Sequence, residues 1–250
     1  MTSVWDQRIA RAQTLSRSHP AAAELLDLYV RLAGLQRGIF DDVNASRESD
    51  PTAMARYLPK LREIVILSGP PEARKFLNAR MKTTKEITES ITEFWDDPVT
   101  QDVILRFVML SLLQPFAESL ATRGQHVRDT LARRCPFCGA PPIAAVLREE
   151  GDGGRRMLLC SLCSMEWEFR RVLCPNCGEE DKEQLPIYTS DEFTHVRIEA
   201  CDKCHTYLKA IDMTKNGLAI PVVDELASVS LNVWAEENGY TKAEPNLLGL

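Results

Sequence analysis

The cysteines constrain this chain more than any other feature, because all eight fall in Cys-x-x-Cys pairs and none is left over. All of them lie after residue 134 in a sequence of 250 residues. In a reducing compartment, cysteines paired in this way are poor candidates for structural disulfides and better ones for metal ligation or redox chemistry. The four pairs are Cys135-Pro-Phe-Cys138, Cys160-Ser-Leu-Cys163, Cys174-Pro-Asn-Cys177 and Cys201-Asp-Lys-Cys204.

The pairs form a repeat with matched spacing. Pairs one and three share the pattern Cys-Pro-x-Cys-Gly, and 21 residues separate Cys138 from Cys160 while 23 separate Cys177 from Cys201. Two intervening residues let a tight turn present both sulfurs to one ion, and Gly after the second Cys relieves the strain of that turn. Two such turns joined by a hairpin close a tetrahedral site of four sulfurs, as in zinc ribbons and rubredoxin-type iron centres.

Sequential pairing of the repeats predicts two metal sites. Their ligands are Cys135, Cys138, Cys160 and Cys163 in the first site and Cys174, Cys177, Cys201 and Cys204 in the second. Interleaved pairing is the alternative, and it would break the symmetry of the repeat. His205 directly follows Cys204 and is an alternative ligand, although the four-cysteine set is complete without it. The other histidines are scattered along the chain and are interpreted as surface or packing residues: His19, His126 and His195.

A site with four protein ligands has no open position, so neither metal is expected to activate water or bind a substrate. Such a site holds a fold together or, with iron, carries one electron, and the spacing alone leaves zinc and iron open. Thiol–disulfide exchange of the thioredoxin kind is a further alternative, but it needs one Cys-x-x-Cys at a helix start rather than four in tandem. No nucleophile with an orienting base accompanies the cysteines, so we predict no catalytic residues.

The character of the sequence changes at the first cysteine, which predicts an α+β protein. Residues 1–134 show a 3.6-residue apolar periodicity and are predicted to form an N-terminal helical domain. Two tandem four-cysteine modules of the rubredoxin or zinc-ribbon kind are expected over residues 135–172 and 173–215. A C-terminal helix and tail are expected over residues 216–250.

Local signals place several helices within this outline. Pro20 is predicted to start one helix, and another helical region is expected over roughly residues 71–95. Asp97-Pro98 has the pattern of an N-cap followed by proline at the first helical position, ahead of the most apolar helix of the chain. Near the end, an amphipathic pattern from Leu226 to Trp234 predicts one more helix, which Gly239 closes.

Charge is distributed unevenly and argues against nucleic acid as a partner. Residues 1–134 hold 19 Lys or Arg against 17 Asp or Glu, whereas residues 135–250 hold 11 against 19. Binding to phosphates requires an excess of Lys and Arg on the contacting face. The apolar run at residues 103–113 is interrupted by Arg106 and is too short to span a membrane. Because the first residues also lack the features of a secretory signal, we expect a cytoplasmic protein.

The order of these features resembles the FdhE family of formate dehydrogenase accessory proteins. The resemblance covers the second half of the chain closely and the helical half only in general character. The motifs that carry it are Cys135-Pro-Phe-Cys138-Gly-Ala-Pro-Pro142, Met157-Leu-Leu-Cys160-Ser-Leu-Cys163 with Trp167 and Arg171, Cys174-Pro-Asn-Cys177, Cys201-Asp-Lys-Cys204 with Tyr207-Leu-Lys209, Asp224-Glu225-Leu226, and Glu237-Asn-Gly-Tyr240 before Asn246.

The resemblance implies a maturation factor and not an enzyme. Such a protein would bind the catalytic subunit of a molybdenum or tungsten formate dehydrogenase in the cytoplasm and support its activation. It would hold iron in rubredoxin-like centres, two per chain, with all eight cysteines as ligands and zinc as the alternative. Trp167, Arg171 and Tyr207 are the candidates for contact with the partner, while the simpler interpretation is that Trp167 and Tyr207 cover the metal sites.

Two other classes of function are kept as alternatives. A zinc-ribbon docking or nucleic-acid-binding module would use the same cysteines, but a nucleic-acid binder needs a basic face that the acidic second half does not suggest. A sulfur transferase that serves cofactor maturation would need a cysteine that is free of metal.

Overall fold

Helices fill the first half of the chain and strands much of the second, which confirms the predicted α+β class. The computed structural model describes residues 3–81, 83–124, 132–150 and 153–250, so His126 lies outside the described residues. The α-helices are α1 Val4–Ser18, α2 Ala23–Ser46, α3 Leu58–Ser68, α4 Pro71–Arg80, α5 Thr84–Asp96, α6 Val103–Arg123, α7 Pro221–Ala227 and α8 Val229–Glu237. The strands are β1 Pro142–Glu150, β2 Gly153–Cys160, β3 Glu166–Glu168, β4 Ile187–Thr189, β5 Val196–Cys201, β6 Thr206–Asp212 and β7 Thr241–Lys242.

Helix α6 begins later than the sequence suggested. The prediction that Asp97-Pro98 starts this helix is wrong, because Asp97 instead ends α5, where its amide donates to the carbonyl of Glu93 at 3.2 Å. Asp102 is the N-cap of α6, and its carboxylate accepts from the amides of Ile104 and Leu105 at 3.1 and 3.0 Å. A carboxylate that satisfies two otherwise unpaired amides stabilises the start of a helix more than a proline that only fixes one backbone angle.

Helix α6 is the core helix of the helical half. It is long and apolar enough to cross a membrane by length and composition alone, but 72% of its most apolar stretch is buried inside the protein. Leu112, Leu113 and Phe116 are fully buried, and Pro115 lies inside the helix. Helix α2 packs along it, where Gln36 donates to the Leu110 carbonyl at 3.2 Å. The burial of α6 therefore fits a helix that packs the core.

The strands form one seven-stranded sheet in the described part of the chain, and each cysteine repeat contributes three adjacent strands. The order is β3-β2-β1-β6-β5-β4, with β7 paired to β6. Within each repeat the strands are antiparallel, whereas β1 and β6 join the two repeats in parallel, with Ala144 opposite Lys209. The two predicted cysteine modules thus share a single sheet, and the boundaries proposed between them stay predictions.

The two repeats differ in where they place their aromatic residue. In the second repeat, Tyr207 lies opposite Ala200, the residue directly before Cys201. In the first repeat, the residue directly before Cys160 is Leu159, and Glu166 lies opposite it. Trp167 lies one residue further along its strand. Since successive residues of a strand point to opposite faces, Trp167 and Tyr207 pack on opposite sides of the sheet.

Helices α7 and α8 cover the face of the sheet on which Tyr207 packs. The sequence predicted one helix here, but Ser228 separates two, and its hydroxyl donates to the carbonyl of Asp224 at 2.8 Å. The ammonium of Lys209, on β6, also donates to the carbonyls of Glu225 and Ser228. These donors satisfy the carbonyls at the end of α7, so the helix stops there. Gly239 follows α8 with a positive φ of 83°, as its predicted closing role requires.

A buried ion triad holds α7 against the sheet. The carboxylate of Glu225 is fully buried and lies 2.9 Å from the ammonium of Lys209, and it also accepts from Lys242 and, at 2.8 Å, from Asn246. Burial alone would raise the pKa of Glu225, but the two ammonium groups lower it to about 2. The carboxylate is therefore ionised and paired in the folded protein.

We expect Glu225→Gln to lower the free energy of unfolding by about 3–5 kcal/mol, because it leaves two buried ammonium groups without their carboxylate. Urea denaturation followed by circular dichroism measures this change. Glu237→Gln, on the exposed end of α8, is the matched control and should change stability by less than about 0.5 kcal/mol. Equal effects of the two substitutions would contradict the role assigned to Glu225.

The ion triad also predicts how the stability difference between the wild type and Glu225→Gln depends on pH. The pKa of Glu225 is depressed in the folded state, so its contribution is fully present above its unfolded pKa of 4.5 and is lost as the pH falls toward about 2. The difference in unfolding free energy between the wild type and Glu225→Gln should therefore shrink over this range. Denaturation curves at several pH values test it, and a constant difference would count against the ion triad.

Candidate metal centres

The first cluster brings together the four sulfurs that sequential pairing predicted. Cys135, Cys138, Cys160 and Cys163 place their sulfur atoms within 4.8 Å of one another. The Sγ atoms of Cys138 and Cys160 are 3.3 Å apart, and those of Cys135 and Cys163 are 3.6 Å apart. A tetrahedral ion with metal–sulfur bonds of about 2.3 Å requires sulfurs roughly 3.8 Å apart. The cluster therefore fits such an ion after small adjustments.

The second cluster repeats this geometry. Its ligand atoms belong to Cys174, Cys177, Cys201 and Cys204 and also lie within 4.8 Å of one another. The sulfur of Cys174 is 3.8 Å from that of Cys204, and the sulfur of Cys177 is 3.7 Å from that of Cys201. All eight cysteines lie in the described residues and none forms a disulfide. The grouping excludes interleaved pairing in this structure.

Each cysteine turn places a residue in the left-handed region directly after its second cysteine. Gly139 and Gly178 have φ values of 73° and 81°, and Ser164 and His205 both have a φ of 53°. The glycines adopt this conformation freely, while serine and histidine adopt it at a cost. His205 therefore occupies the turn position that Gly178 fills after the first cysteine pair of the same repeat. It is not among the residues whose ligand atoms form the cluster.

Backbone amides surround the sulfurs, as the tight turns predict. The amides of Leu162 and Cys163 donate to the sulfur of Cys160 at 3.3 and 3.4 Å. In the second cluster, the amide of Cys177 donates to the sulfur of Cys174 at 3.5 Å. Such donors stabilise thiolates, which are the form of cysteine that binds metal.

Because the sulfurs lie close together and differ in burial, the pKa values of some cysteines are lowered and those of others are raised. Hydrogen bonding from Cys138 lowers the pKa of Cys135, whereas burial raises the pKa of Cys160. Burial also acts on Cys204, but hydrogen bonding from Thr206 lowers its pKa to about 6. Like charges that share a site cannot all ionise at ordinary pH without a cation. A bound dication would stabilise all four sulfurs as thiolates.

Hydrogen bonds connect the first cluster to the core helix α6. Gln114 donates to the carbonyl of Ser161 at 2.8 Å, and the hydroxyl of Ser164 donates to Glu118 at 2.6 Å. Glu118 in turn forms a buried ion pair with Arg8 of α1 at 2.9 Å. These bonds fix the second cysteine turn of the cluster against two helices.

Sequence reasoning missed these anchoring residues. Gln114 and Glu118 are polar residues four positions apart on a predominantly apolar helix, so they lie on the same face one turn apart. A polar pair at this spacing in a buried helix requires partners, and that requirement was the available signal. Ser164 carried no comparable signal, since serine after a cysteine pair is not unusual.

The second cluster lies further from the helical core and is more exposed. Only Cys174 and Cys201 are buried in it, at 4% and 2% exposure, whereas three of the four cysteines are buried in the first cluster. Its turns are held by peripheral contacts: Arg133 donates to the carbonyl of Asn176 at 3.1 Å, and Lys203 pairs with Glu179 at 2.7 Å. The two clusters thus share a geometry but not an environment.

The three residues named as candidates for partner contact have different surroundings. Trp167 is 4% exposed, and its indole donates to the carbonyl of Ala132 at 2.8 Å. Tyr207 is 1% exposed, so contact between either aromatic side chain and a partner would require the structure to open. Arg171 is exposed and donates to the carbonyl of Gly154. Their role in partner contact stays a prediction.

The fold and the clusters together define a protein with a helical first half and two four-cysteine sites, each able to hold one metal ion, in a shared sheet. The family models "FdhE, central domain" and "FdhE, C-terminal domain" match residues 134–171 and 172–248. A Protein FdhE homolog of Aquifex aeolicus is 34% identical over 205 residues, which cover 81% of this chain and 72% of that protein. The chain belongs to the FdhE family.

Two further similarities extend over almost the whole chain. A Protein FdhE homolog of Pseudomonas aeruginosa is 28% identical over an alignment that covers 97% of this chain and 88% of that protein. The crystal structure of the FdhE protein from Pseudomonas aeruginosa superimposes with a TM-score of 0.71 at 23% identity and covers 99% of this chain and 97% of that one. The fold of the helical half is therefore shared as well.

We expect the second cluster to release metal to a chelator before the first, on the order of tenfold faster, because less structure must open around it. Cys138→Ser and Cys177→Ser are matched variants, since each replaces the half-buried second cysteine of the first pair in its repeat. The zinc-loaded Cys138→Ser protein keeps the second site and should release zinc quickly to a colorimetric chelator. The Cys177→Ser protein should release it slowly, and the reverse order would contradict the assignment.

We also expect His205→Gly to retain two metal ions per chain. Glycine adopts the left-handed conformation of this position without strain, so the turn keeps its shape. Metal analysis by mass spectrometry checks the content, with Cys204→Ser as the control that should lose one ion. A loss of one ion from His205→Gly would identify the histidine as a ligand.

Proposed function

We propose that this protein is an accessory factor that binds the catalytic subunit of a molybdenum or tungsten formate dehydrogenase and supports its activation, using two rubredoxin-like metal centres. The observation that carries the proposal is the pair of complete four-sulfur clusters in a chain of the FdhE family. Four protein ligands leave no open position for a substrate. The metal centres therefore support recognition or electron transfer and not turnover.

Iron is the metal we propose for both clusters, with the eight cysteines as ligands. Iron held by four thiolates supplies one reversible electron, whereas zinc supplies none and only stabilises the fold. The residues of this chain contribute amide donors to the sulfurs and a sheet that keeps the clusters in place. A one-electron centre suits a factor that monitors or protects a redox-sensitive cofactor site in its partner.

The proposal does not include catalysis by this chain. A sulfur transferase needs a cysteine that is free of metal, and all eight cysteines lie in the two clusters. His195 and Asp224 form a 2.7 Å pair that resembles part of a catalytic relay. Asp224, however, also accepts from Arg11 of α1 and from the amide of Ile220, so the pair joins the β4–β5 loop and α7 to the helical half.

Metal content and the visible spectrum of protein purified without oxygen test the choice of metal. We expect about two irons per chain and thiolate-to-iron charge-transfer bands. About two zincs in a colourless solution would retain the fold and change the role to that of a structural docking module.

Co-purification with the catalytic subunit of a formate dehydrogenase tests the proposed partner. We expect tagged wild-type protein to retain the co-expressed subunit and Cys160→Ser, which disrupts the buried first cluster, to lose most of it, because the sheet depends on the metal. Lys75→Ala, on the exposed side of α4, is the control and should retain the subunit. Failure of the wild type to retain the subunit would overturn the proposal.

A further inference from the structure

A cavity of about 490 Å³ lies directly beside the second cluster. Cys174 and Cys201 are among its lining residues, together with residues of β5, β6 and the segments around residues 171–176 and 182–187. Its volume is within the usual range of about 300–1,000 Å³ for ligand sites. We call it the β4 cavity, because Ile187 of strand β4 is among its lining residues.

The charged groups that line the β4 cavity are predominantly basic. In its lining, Glu199 accepts from Arg156 at 2.8 Å and from Arg197 at 2.6 Å. Burial would raise the pKa of Glu199, but the two guanidinium groups lower it, so the triad carries one net positive charge. Arg171 and Lys182, both exposed, add two positive charges and bring these five side chains to +3, and Glu199 is the only Asp or Glu among the described residues of the lining. Four thiolates around a divalent ion would carry −2, so the basic side chains still outweigh the adjoining cluster.

This local charge opposes that of the protein as a whole. The chain has a formal net charge of −6, and its second half is more acidic than its first. An acidic segment of a partner would therefore be repelled by most of this surface and attracted to the β4 cavity. Charge complementarity identifies carboxylates as the groups that the cavity attracts.

Part of the lining is apolar and exposed to solvent. Val172 and Ile187 are exposed at 39% and 54%, and Leu185 and Pro186 continue the apolar surface beside them. Strand β4 is the last strand of the sheet path, so one of its edges is unpaired within the described part of the chain. An exposed strand edge beside apolar pockets is the surface to which extended peptides bind by adding a strand.

We propose that the β4 cavity binds an extended segment of the partner polypeptide in which carboxylates alternate with apolar side chains. The inference rests on the proposed function, since the partner is the catalytic subunit of a formate dehydrogenase. The carboxylates of the segment contact Arg171 and Lys182 at the rim, and its apolar side chains pack on Val172 and Ile187. The bound segment then lies against the second cluster, which lines the same cavity.

Charge reversal at the rim tests the electrostatic part of this inference. Arg171→Glu and Lys182→Glu should each weaken binding of the purified catalytic subunit about tenfold, measured by biolayer interferometry, and the loss should diminish as salt is added. Neither side chain belongs to the Arg156–Glu199–Arg197 triad, so both variants should keep their metal content. Lys75→Glu, an exposed charge on α4, is the matched control and should bind like the wild type.

Photo-crosslinking tests whether the catalytic subunit binds at the β4 cavity. A photoreactive phenylalanine analogue in place of Val172 or Ile187 should crosslink to the catalytic subunit. The same analogue in place of Leu67 or Leu218, which are exposed at 75% and 81% away from the cavity, should not.

The outcomes separate this inference from the proposed function. Crosslinks only at Leu67 or Leu218, or unchanged affinity after both charge reversals, would overturn the β4 cavity as the docking site. The catalytic subunit would still be supported as the partner. No binding of the catalytic subunit by wild-type protein would overturn both. Crosslinks at Val172 and Ile187 together with weakened binding at the rim would support both.

Discussion

The ribbon half of this protein depends on keeping four sulfurs together at each of two points. Neighbouring sulfur atoms approach to between 3.3 and 3.8 Å in the clusters, a separation at which thiolates repel one another unless a cation lies between them. Strands β3 and β4 have three residues each, so they contribute few backbone hydrogen bonds of their own. Structural zinc contributes about 10–16 kcal/mol to the folding of zinc-finger peptides, so a metal bound at each cluster would be a major stabilising term of the sheet.

The sheet connects the two clusters to each other and to the helices. Parallel pairing of β1 with β6 makes the two cysteine repeats one unit, and the buried Glu225 fixes α7 on that unit. Glu118 and Gln114 tie the first cluster to α6. The helical half therefore supports the first cluster directly, while it supports the second mainly through the sheet and the contacts around His195.

Sequence signals predicted what is local and missed what depends on tertiary pairing. The order and grouping of the cysteines follow from turn geometry, which two intervening residues specify. The parallel pairing of β1 with β6 has no such signal, because it joins strands more than 60 residues apart. Asp97-Pro98 has the pattern of a common helix start, yet Asp102 is the N-cap of α6 because its carboxylate accepts from two amides. The break at Ser228 depends on Lys209, a donor from a distant strand.

The unequal surroundings of the clusters suggest how a symmetric repeat acquires two roles. Duplicated centres with equal burial would be equally open to exchange and to a partner. Here the first cluster is packed on α6, where a bound metal would stabilise the contact between the sheet and the helices. The second lies at the turn between β5 and β6, beside the cavity that we propose as the docking site, where a partner would reach it without disturbing the core. A change at the second centre would therefore alter the proposed docking surface, whereas a change at the first would alter the fold that presents it.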